Sequence, residues 1–174
     1  KIRIYATDTK TMTSYDVGPG LSFGPSRSSN GREVRFLSSY LTSGKSVVRA
    51  LETVSGQIRD LFPPITGMVI SLSADGQQMA FVRRVANSGS AEVIVAATGH
   101  PDGRVVAAGQ MEALPQMSPQ GNQVSFVRKG DASPQDGGPN GASLWVVAAD
   151  SSGARRLASA RGINSAVWDP SGRF

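Results

Sequence analysis

A pentapeptide at Gly20–Gly24, Gly-Leu-Ser-Phe-Gly, matches the G-x-S-x-G pattern that presents a nucleophilic serine. Such a serine, here Ser22, stands at a strand-to-helix turn and needs a histidine base that a carboxylate orients. The residues that follow, Pro-Ser-Arg-Ser-Ser-Asn-Gly, predict a turn and another strand in place of a helix. The single histidine, His100, lies in a Gly- and Pro-containing segment typical of a surface turn. We therefore predict no catalytic residues and interpret Ser22 as marking the beginning of a structural unit.

Two other segments resemble ligand-binding loops. Ser43–Ser46 reads Ser-Gly-Lys-Ser, but a phosphate-binding loop requires glycine at the position that Ser39 occupies. Asp131–Gly138 holds two carboxylates without the alternation of a calcium loop, so we expect a flexible loop, with a weak cation site as the alternative. The chain has no cysteine and one histidine, which excludes thiolate catalysis and Cys- or His-rich zinc sites. No metal and no cofactor are predicted.

Paired cations follow two similar strand-like segments. Arg83 and Arg84 come after Phe-Val, and Arg128 and Lys129 come after a second Phe-Val. We expect all four to leave a strand on the side where the chain enters each structural unit, and so to gather on one rim beside the Gly- and Pro-rich segment Gly130–Gly141. Such a cluster could bind an acidic peptide, a carboxylate or a phosphate. The alternative is a set of solvated loop cations.

The composition limits the classes of partner. The net charge is +5, which is ordinary for a domain, and aromatic residues make up only 6% of the chain. Basic and aromatic residues do not interleave as they do in base-stacking surfaces, so no nucleic-acid partner is predicted. No apolar run approaches 18 residues, so no membrane insertion is expected either.

An internal repeat reveals the elements that position these residues. Gly31, Gly76 and Gly121 are separated by intervals of 45 residues, and Phe36, Phe81 and Phe126 repeat the same intervals. A fourth copy places Gly172 at an interval of 51, and the Gly130–Gly141 segment accommodates the extra residues. Each of the first three copies contains four short strand-like runs, with a turn residue and glycine between the first two, and the fourth contains a first run at Ser165–Asp169 and its turn. Four strands in about 45 residues is the unit of a β-propeller blade.

We therefore predict an all-β propeller segment of four-stranded antiparallel blades, with three full blades and two partial ones. The expected units are residues 1–17 (partial), 18–63, 64–108, 109–159 and 160–174 (partial). The two partial blades could pair to close a four-bladed ring. Our first expectation is instead a segment of a larger ring, since propellers of six to eight blades are common.

The turns resemble those of TolB-like propellers, whose repeat is usually written S-P-D-G-x-x-I-A-F. The matching segments are Ser73–Gly76, Ser118–Gly121, Leu144–Val146 and Trp168–Gly172. Asp169 stands where the family pattern has serine.

This resemblance implies a fold more than an activity. It implies a non-catalytic bacterial module, periplasmic or otherwise extracytoplasmic, that binds a protein or peptide on a loop face and can be part of a larger complex. Arg83, Arg84, Arg128 and Lys129 are the binding residues that we predict. The alternative is the gating propeller of a prolyl oligopeptidase-like enzyme whose catalytic domain lies outside this chain. A sensor domain attached to a kinase or a transcription factor is a third class.

Overall fold

The computed structural model describes residues 1–18, 20–28, 30–40, 45–66, 70–130, 135 and 138–173. The regular structure of these residues is antiparallel β, apart from a short 3-10 turn at Gly138–Asn140. The chain forms two compact units, Lys1–Thr66 and Gly67–Phe174. Among the described residues, no helix is long and apolar enough to cross a membrane.

The first unit contains a hairpin and a larger sheet. The hairpin pairs β1 (Ile2–Ala6) with β2 (Thr11–Tyr15). The sheet has the order β3 (Leu21–Arg27), β4 (Glu33–Tyr40), β5 (Lys45–Glu52) and β6 (Ile58–Asp60), and β7 (Ile65–Thr66) also pairs with β5. Phe36 and Leu51 of the sheet are buried with Val17, and Ile2, Ile4, Tyr15 and Ile58 pack against them. The hairpin therefore covers one face of the sheet through alternating apolar side chains.

The second unit consists of two four-stranded sheets. The first has the sequential order β8 (Ile70–Leu72), β9 (Gln78–Arg84), β10 (Ala91–Ala97) and β11 (His100–Gly109). The second has the same order of β12 (Met111–Met117), β13 (Gln123–Lys129), β14 (Ala142–Ala148) and β15 (Arg155–Ala160).

These two sheets pack face to face. Their shared core contains the buried side chains of Ala80, Val93, Val95, Met117, Val124, Phe126 and Val147. Because side chains alternate along a strand, the members from β9 and β10 mark one face of the first sheet, and those from β13 and β14 mark the facing side of the second. Both faces of β10 are largely buried, as its continuous apolar sequence predicts.

Corresponding strands of the two stacked sheets run in the same direction. The Met117 amide in β12 donates to Ser71 Oγ in β8 at 2.9 Å, and the Ala74 amide donates to the Pro119 carbonyl at 2.8 Å. Equivalent strand ends are therefore adjacent. It follows that the ends of β9 and β13 lie together at the opposite rim.

The repeated glycines occupy equivalent turns, as the spacing predicts. Gly31, Gly76, Gly121 and Gly172 each donate an amide hydrogen bond of 2.9 Å to the carbonyl three residues earlier. All four have positive φ angles, from 71° to 81°. In the first three turns a serine hydroxyl accepts the amide five residues later, at 2.9 to 3.1 Å. The repeat in the sequence is thus a repeat of local structure.

One expected strand is not formed. The run Ser165–Asp169 reads as the first strand of a further copy, yet among residues 161–173 the structure contains only turn and irregular backbone. The Asp169–Gly172 turn itself is formed. Strand conformation depends on a neighbouring strand for its hydrogen bonds, and no described strand pairs with this segment.

Candidate functional site

The four predicted binding cations all lie at the rim where the chain passes from one sheet of the second unit to the next. Arg83 and Arg84 end β9, and Arg128 and Lys129 end β13. The Lys129 amide donates to the carbonyl of Gln110, which joins β11 to β12, at 2.8 Å. The cations are therefore on the side opposite the Ser-x-x-Gly turns.

Strand alternation divides the cations into two pairs. Arg84 lies on the face of β9 that carries Ala80, and Arg128 lies on the face of β13 that carries Phe126. These are the two faces that pack together, so Arg84 and Arg128 border the same interface. Arg83 and Lys129 project from the opposite faces of their sheets. The structure thus brings two of the four to one interface and places the other two on its outer sides.

The outer pair is associated with carboxylates of its own sheets. Arg83 forms a cross-strand ion pair with Glu92, with Nη2 and Nε at 2.7 and 3.0 Å from the same carboxylate oxygen. Lys129 Nζ lies 3.9 Å from a Glu112 oxygen. These exposed pairs reduce the positive potential of Arg83 and Lys129 without removing it.

Arg128 is held against the interface. It is half-buried, and its Cζ lies 5.6 Å from the centroid of the Trp145 ring, within the range of a cation–π contact. Its guanidinium also covers Gly109: a Cβ built at Gly109 would lie 3.1 Å from Arg128 Nε. The missing side chain of Gly109 therefore makes room for this guanidinium.

Arg84 lies across the first sheet from that guanidinium. Arg84 pairs with Ala91, and Ala91 pairs with Gly109, so these three residues form one row across β9, β10 and β11. Two strand spacings, about 10 Å, separate the ends of the row. The Arg84 side chain is exposed and has no hydrogen bond or ion pair with any residue that the structure describes.

Two buried donors lie beside Arg128 that sequence reasoning missed. Ser143 is the direct cross-strand neighbour of Arg128, and its Oγ is buried without a hydrogen-bond partner among the described residues. The Trp145 indole Nε1 on the same face is also buried without a described partner. The Trp168 Nε1, in contrast, donates to the Gln116 carbonyl at 2.9 Å. The sequence did contain a signal for this donor, because Ser143 places a hydroxyl directly before the apolar run Leu144–Ala149.

The other residues that could take part in chemistry lie outside this rim. Ser22 is exposed in the middle of β3, with its Oγ 3.4 Å from that of Ser38, and it lines an open groove of about 470 Å³ beside β1. A strand position does not have the geometry of a nucleophile elbow. His100 is exposed and begins β11 after a tight turn.

Lys45 begins β5, and residues 41–44 before it lie outside the described residues. Most of the Asp131–Gly138 loop also lies outside them, so the predicted loop and its alternative cation site stay a prediction. Within the described part of the chain, no three or more His, Cys, Asp or Glu side chains are grouped to hold a metal ion.

Comparison with known proteins identifies the fold. No family model and no curated protein sequence matches the chain. TolB from Acinetobacter baumannii superposes with a TM-score of 0.57 at 17% identity, over 88% of this chain and 37% of that one. An oligogalacturonate lyase in complex with manganese gives a TM-score of 0.63 at 12% identity, over 88% and 45%. The β-propeller domain of the trilobed protease from Pyrococcus furiosus gives 0.51 at 13% identity, over 78% and 42%.

These likenesses confirm the predicted fold class: the chain has the architecture of part of a β-propeller. The resemblance to TolB-like propellers is confirmed at the level of the fold. The chain spans less than half the length of each of the three proteins. They include both enzymes and TolB, so the shared feature is a propeller module.

Proposed function

We propose that this propeller module is a non-catalytic binding or scaffolding element that holds an acidic protein or peptide at the rim formed by Arg83, Arg84, Arg128 and Lys129. Loops and strand ends on a rigid scaffold are where binding residues are usually found. The module would act outside the cytoplasm, as part of a larger complex.

The observation that supports this proposal most strongly is the position of Arg84 and Arg128 on the two sides of one sheet interface. Arg84 has no ion-pair partner among the described residues. The two sheets have their own packed core, which fixes the backbone positions of both arginines, and the Trp145 ring holds the Arg128 guanidinium. A cation that is positioned before binding loses little conformational entropy when a partner binds.

The proposal is tested with the full-length protein and a fluorescent peptide of alternating glutamate and glycine. The variant R83A/R84A/R128A/K129A should bind the peptide at least tenfold more weakly, because several charge-assisted contacts are removed. The control is R104A/R155A, which removes two exposed cations from β11 and β15 toward the opposite rim. Equal affinity of the first variant and the wild type, by fluorescence anisotropy, would contradict the proposal.

The second candidate is a propeller that gates a peptidase domain. The trilobed protease propeller among the similar structures is the observation that favours it. In that case, peptidase activity of the full-length protein should depend on peptide length. A peptidase assay with a short substrate and a folded protein substrate separates the two candidates, because a scaffold cleaves neither.

A further inference from the structure

The rim between the two sheets of the second unit carries two facing rows of residues. Arg84, Ala91 and Gly109 form the row of the first sheet. Met111, Arg128 and Ser143 form the row of the second. The core that holds the sheets together lies directly beneath these rows. The rim therefore has a cation on each side and small residues between them.

Two buried donor groups beneath this rim have no hydrogen-bond acceptor among the described residues. Ser143 is fully buried, and its hydroxyl has no hydrogen-bond partner among the described residues. The indole N–H of Trp145, two positions further along the same face of β14, is likewise buried and without a described acceptor. A buried donor without an acceptor is unfavourable, so a pair of them next to a cation points to an acceptor that arrives from outside.

We infer that this rim is a site for a single peptide carboxylate, held between Arg84 and Arg128 with the Ser143 hydroxyl and the Trp145 indole as additional donors. This inference rests on the proposed function and names the group that the site recognises. A carboxylate offers two oxygens with about four acceptor positions, which suits two guanidinium groups and two neutral donors. Ser143 is the direct cross-strand neighbour of Arg128, so its hydroxyl lies on the same face of the sheet as this guanidinium.

The inference separates the four cations by role. Arg84 and Arg128 contact the carboxylate directly. Arg83 and Lys129 lie on the outer faces beside Glu92 and Glu112, and they add only to the local potential. The side-chain carboxylate of Asp or Glu and a peptide C-terminus carry the same chemistry, so the two sources need separate probes.

Nuclear magnetic resonance of the two indole groups tests this directly in the full-length protein. The probes are three capped tripeptides: Ac-Gly-Glu-Gly-NH2, Ac-Gly-Gly-Gly-OH and the uncharged Ac-Gly-Gln-Gly-NH2. The Trp145 indole resonance should shift on addition of a carboxylate probe and remain in place with the glutamine probe. Trp168, whose Nε1 already donates to Gln116, is an internal control that should not shift. The response to the first two probes shows which source binds more tightly.

Variants give a second readout, the dissociation constant from the same titration. R84A should weaken binding about tenfold, and S143A or W145F about threefold to tenfold, as expected for lost charged and neutral hydrogen bonds. S125A is the matched control for S143A, because Ser125 is equally buried with an unpartnered hydroxyl but lies on the other face of the sheet. R83A/K129A should change the affinity less than twofold at 150 mM salt, since Arg83 and Lys129 lie outside the site.

The outcomes distinguish this inference from the proposed function. If the acidic peptide loses affinity for the variant without all four cations but S143A, W145F and S125A behave alike, the rim binds acidic partners without the carboxylate site. If inorganic phosphate shifts Trp145 as strongly as the carboxylate probes at equal concentration, the carboxylate assignment is overturned. If neither probe nor peptide binds, the proposed function fails as well.

Discussion

At the scale of single residues, the most informative side chains are polar groups within apolar strands. Ser125 and Ser143 are both buried in the central strands of one sheet, and the described residues offer neither hydroxyl an acceptor. Their neighbours differ, because Ser143 faces Arg128 and Ser125 lies on the opposite face. The same amino acid at the same depth therefore has a candidate role only at position 143.

Ser125 allows a prediction about stability. Replacing Ser125 by alanine removes a hydroxyl without a described partner, so S125A should keep the free energy of unfolding or raise it by up to about 1 kcal/mol. Thermal unfolding followed by circular dichroism measures the effect. A loss of stability above about 1 kcal/mol would show that the hydroxyl makes a hydrogen bond in solution.

At the scale of elements, the Ser-x-x-Gly turns define the repeat. Each turn combines a glycine of positive φ with a side-chain oxygen that accepts backbone amides. In the last copy Asp169 replaces serine, and its carboxylate accepts the amides of Ser171 and Arg173 at 2.8 and 2.9 Å. A side-chain oxygen at this position therefore still accepts backbone amides, although from residues two and four positions later instead of five.

The Gly121 turn should be more sensitive to substitution than a glycine turn with open space around it. Gly121 has a φ of 75°, and a Cβ there would lie 3.0 Å from Gln78 Cγ and 3.2 Å from Ser73 Cβ, in the neighbouring turn. G121A should therefore destabilise the module by about 1–3 kcal/mol through backbone strain, with crowding in addition. G153A is the control, since Gly153 has a φ of 61° and open space around it. Equal losses of unfolding free energy for the two variants, measured by chemical denaturation, would disprove the contact between the Gly76 and Gly121 turns.

The Asp169 turn should respond to acid. Hydrogen bonds from the Ser171 hydroxyl, and then from the Arg173 amide, lower the pKa of Asp169 below its usual value of 3.8. A carboxylate with a lowered folded-state pKa stabilises the fold above the unfolded pKa, and this contribution disappears as the pH falls through the folded value. The pH-dependent change of the Ser171 and Arg173 amide resonances should therefore have its midpoint below pH 3.8, and D169S should remove this acid response. A transition midpoint above that pH would contradict the assignment.

Much of this element structure could be predicted from the sequence, because turn chemistry and strand periodicity are local. The equivalent turns at Gly31, Gly76, Gly121 and Gly172 are confirmed. The division of the cations between the interface and the outer faces was not predicted, because which faces of β9 and β13 pack together depends on how the two sheets stack. The strand expected at Ser165–Asp169 was wrong for the described structure, because its sequence alone supplies no pairing partner.

At the scale of the whole molecule, the two stacked sheets of the second unit produce the rim, because each sheet supplies one of its facing cations. Neither Arg84 nor Arg128 would border an interface if its sheet stood alone. The proposal of an acidic partner rests on this geometry.

Binding of an acidic partner should therefore depend on salt. Raising the salt concentration from 50 to 500 mM should weaken binding of the glutamate-glycine peptide by about tenfold or more, because the exposed contacts are screened. The affinity of the variant without the four cations should change little over the same range. A salt-independent affinity of the wild type would indicate apolar recognition and contradict the role of the cations.

The most direct test of binding at this rim is a map of where the acidic peptide contacts the full-length protein. Amide resonances should shift at the ends of β9 and β13 and at Gly109–Met111, which together form the rim. Shifts confined to the opposite rim, at the turns of Gly76 and Gly121, would contradict the proposed site.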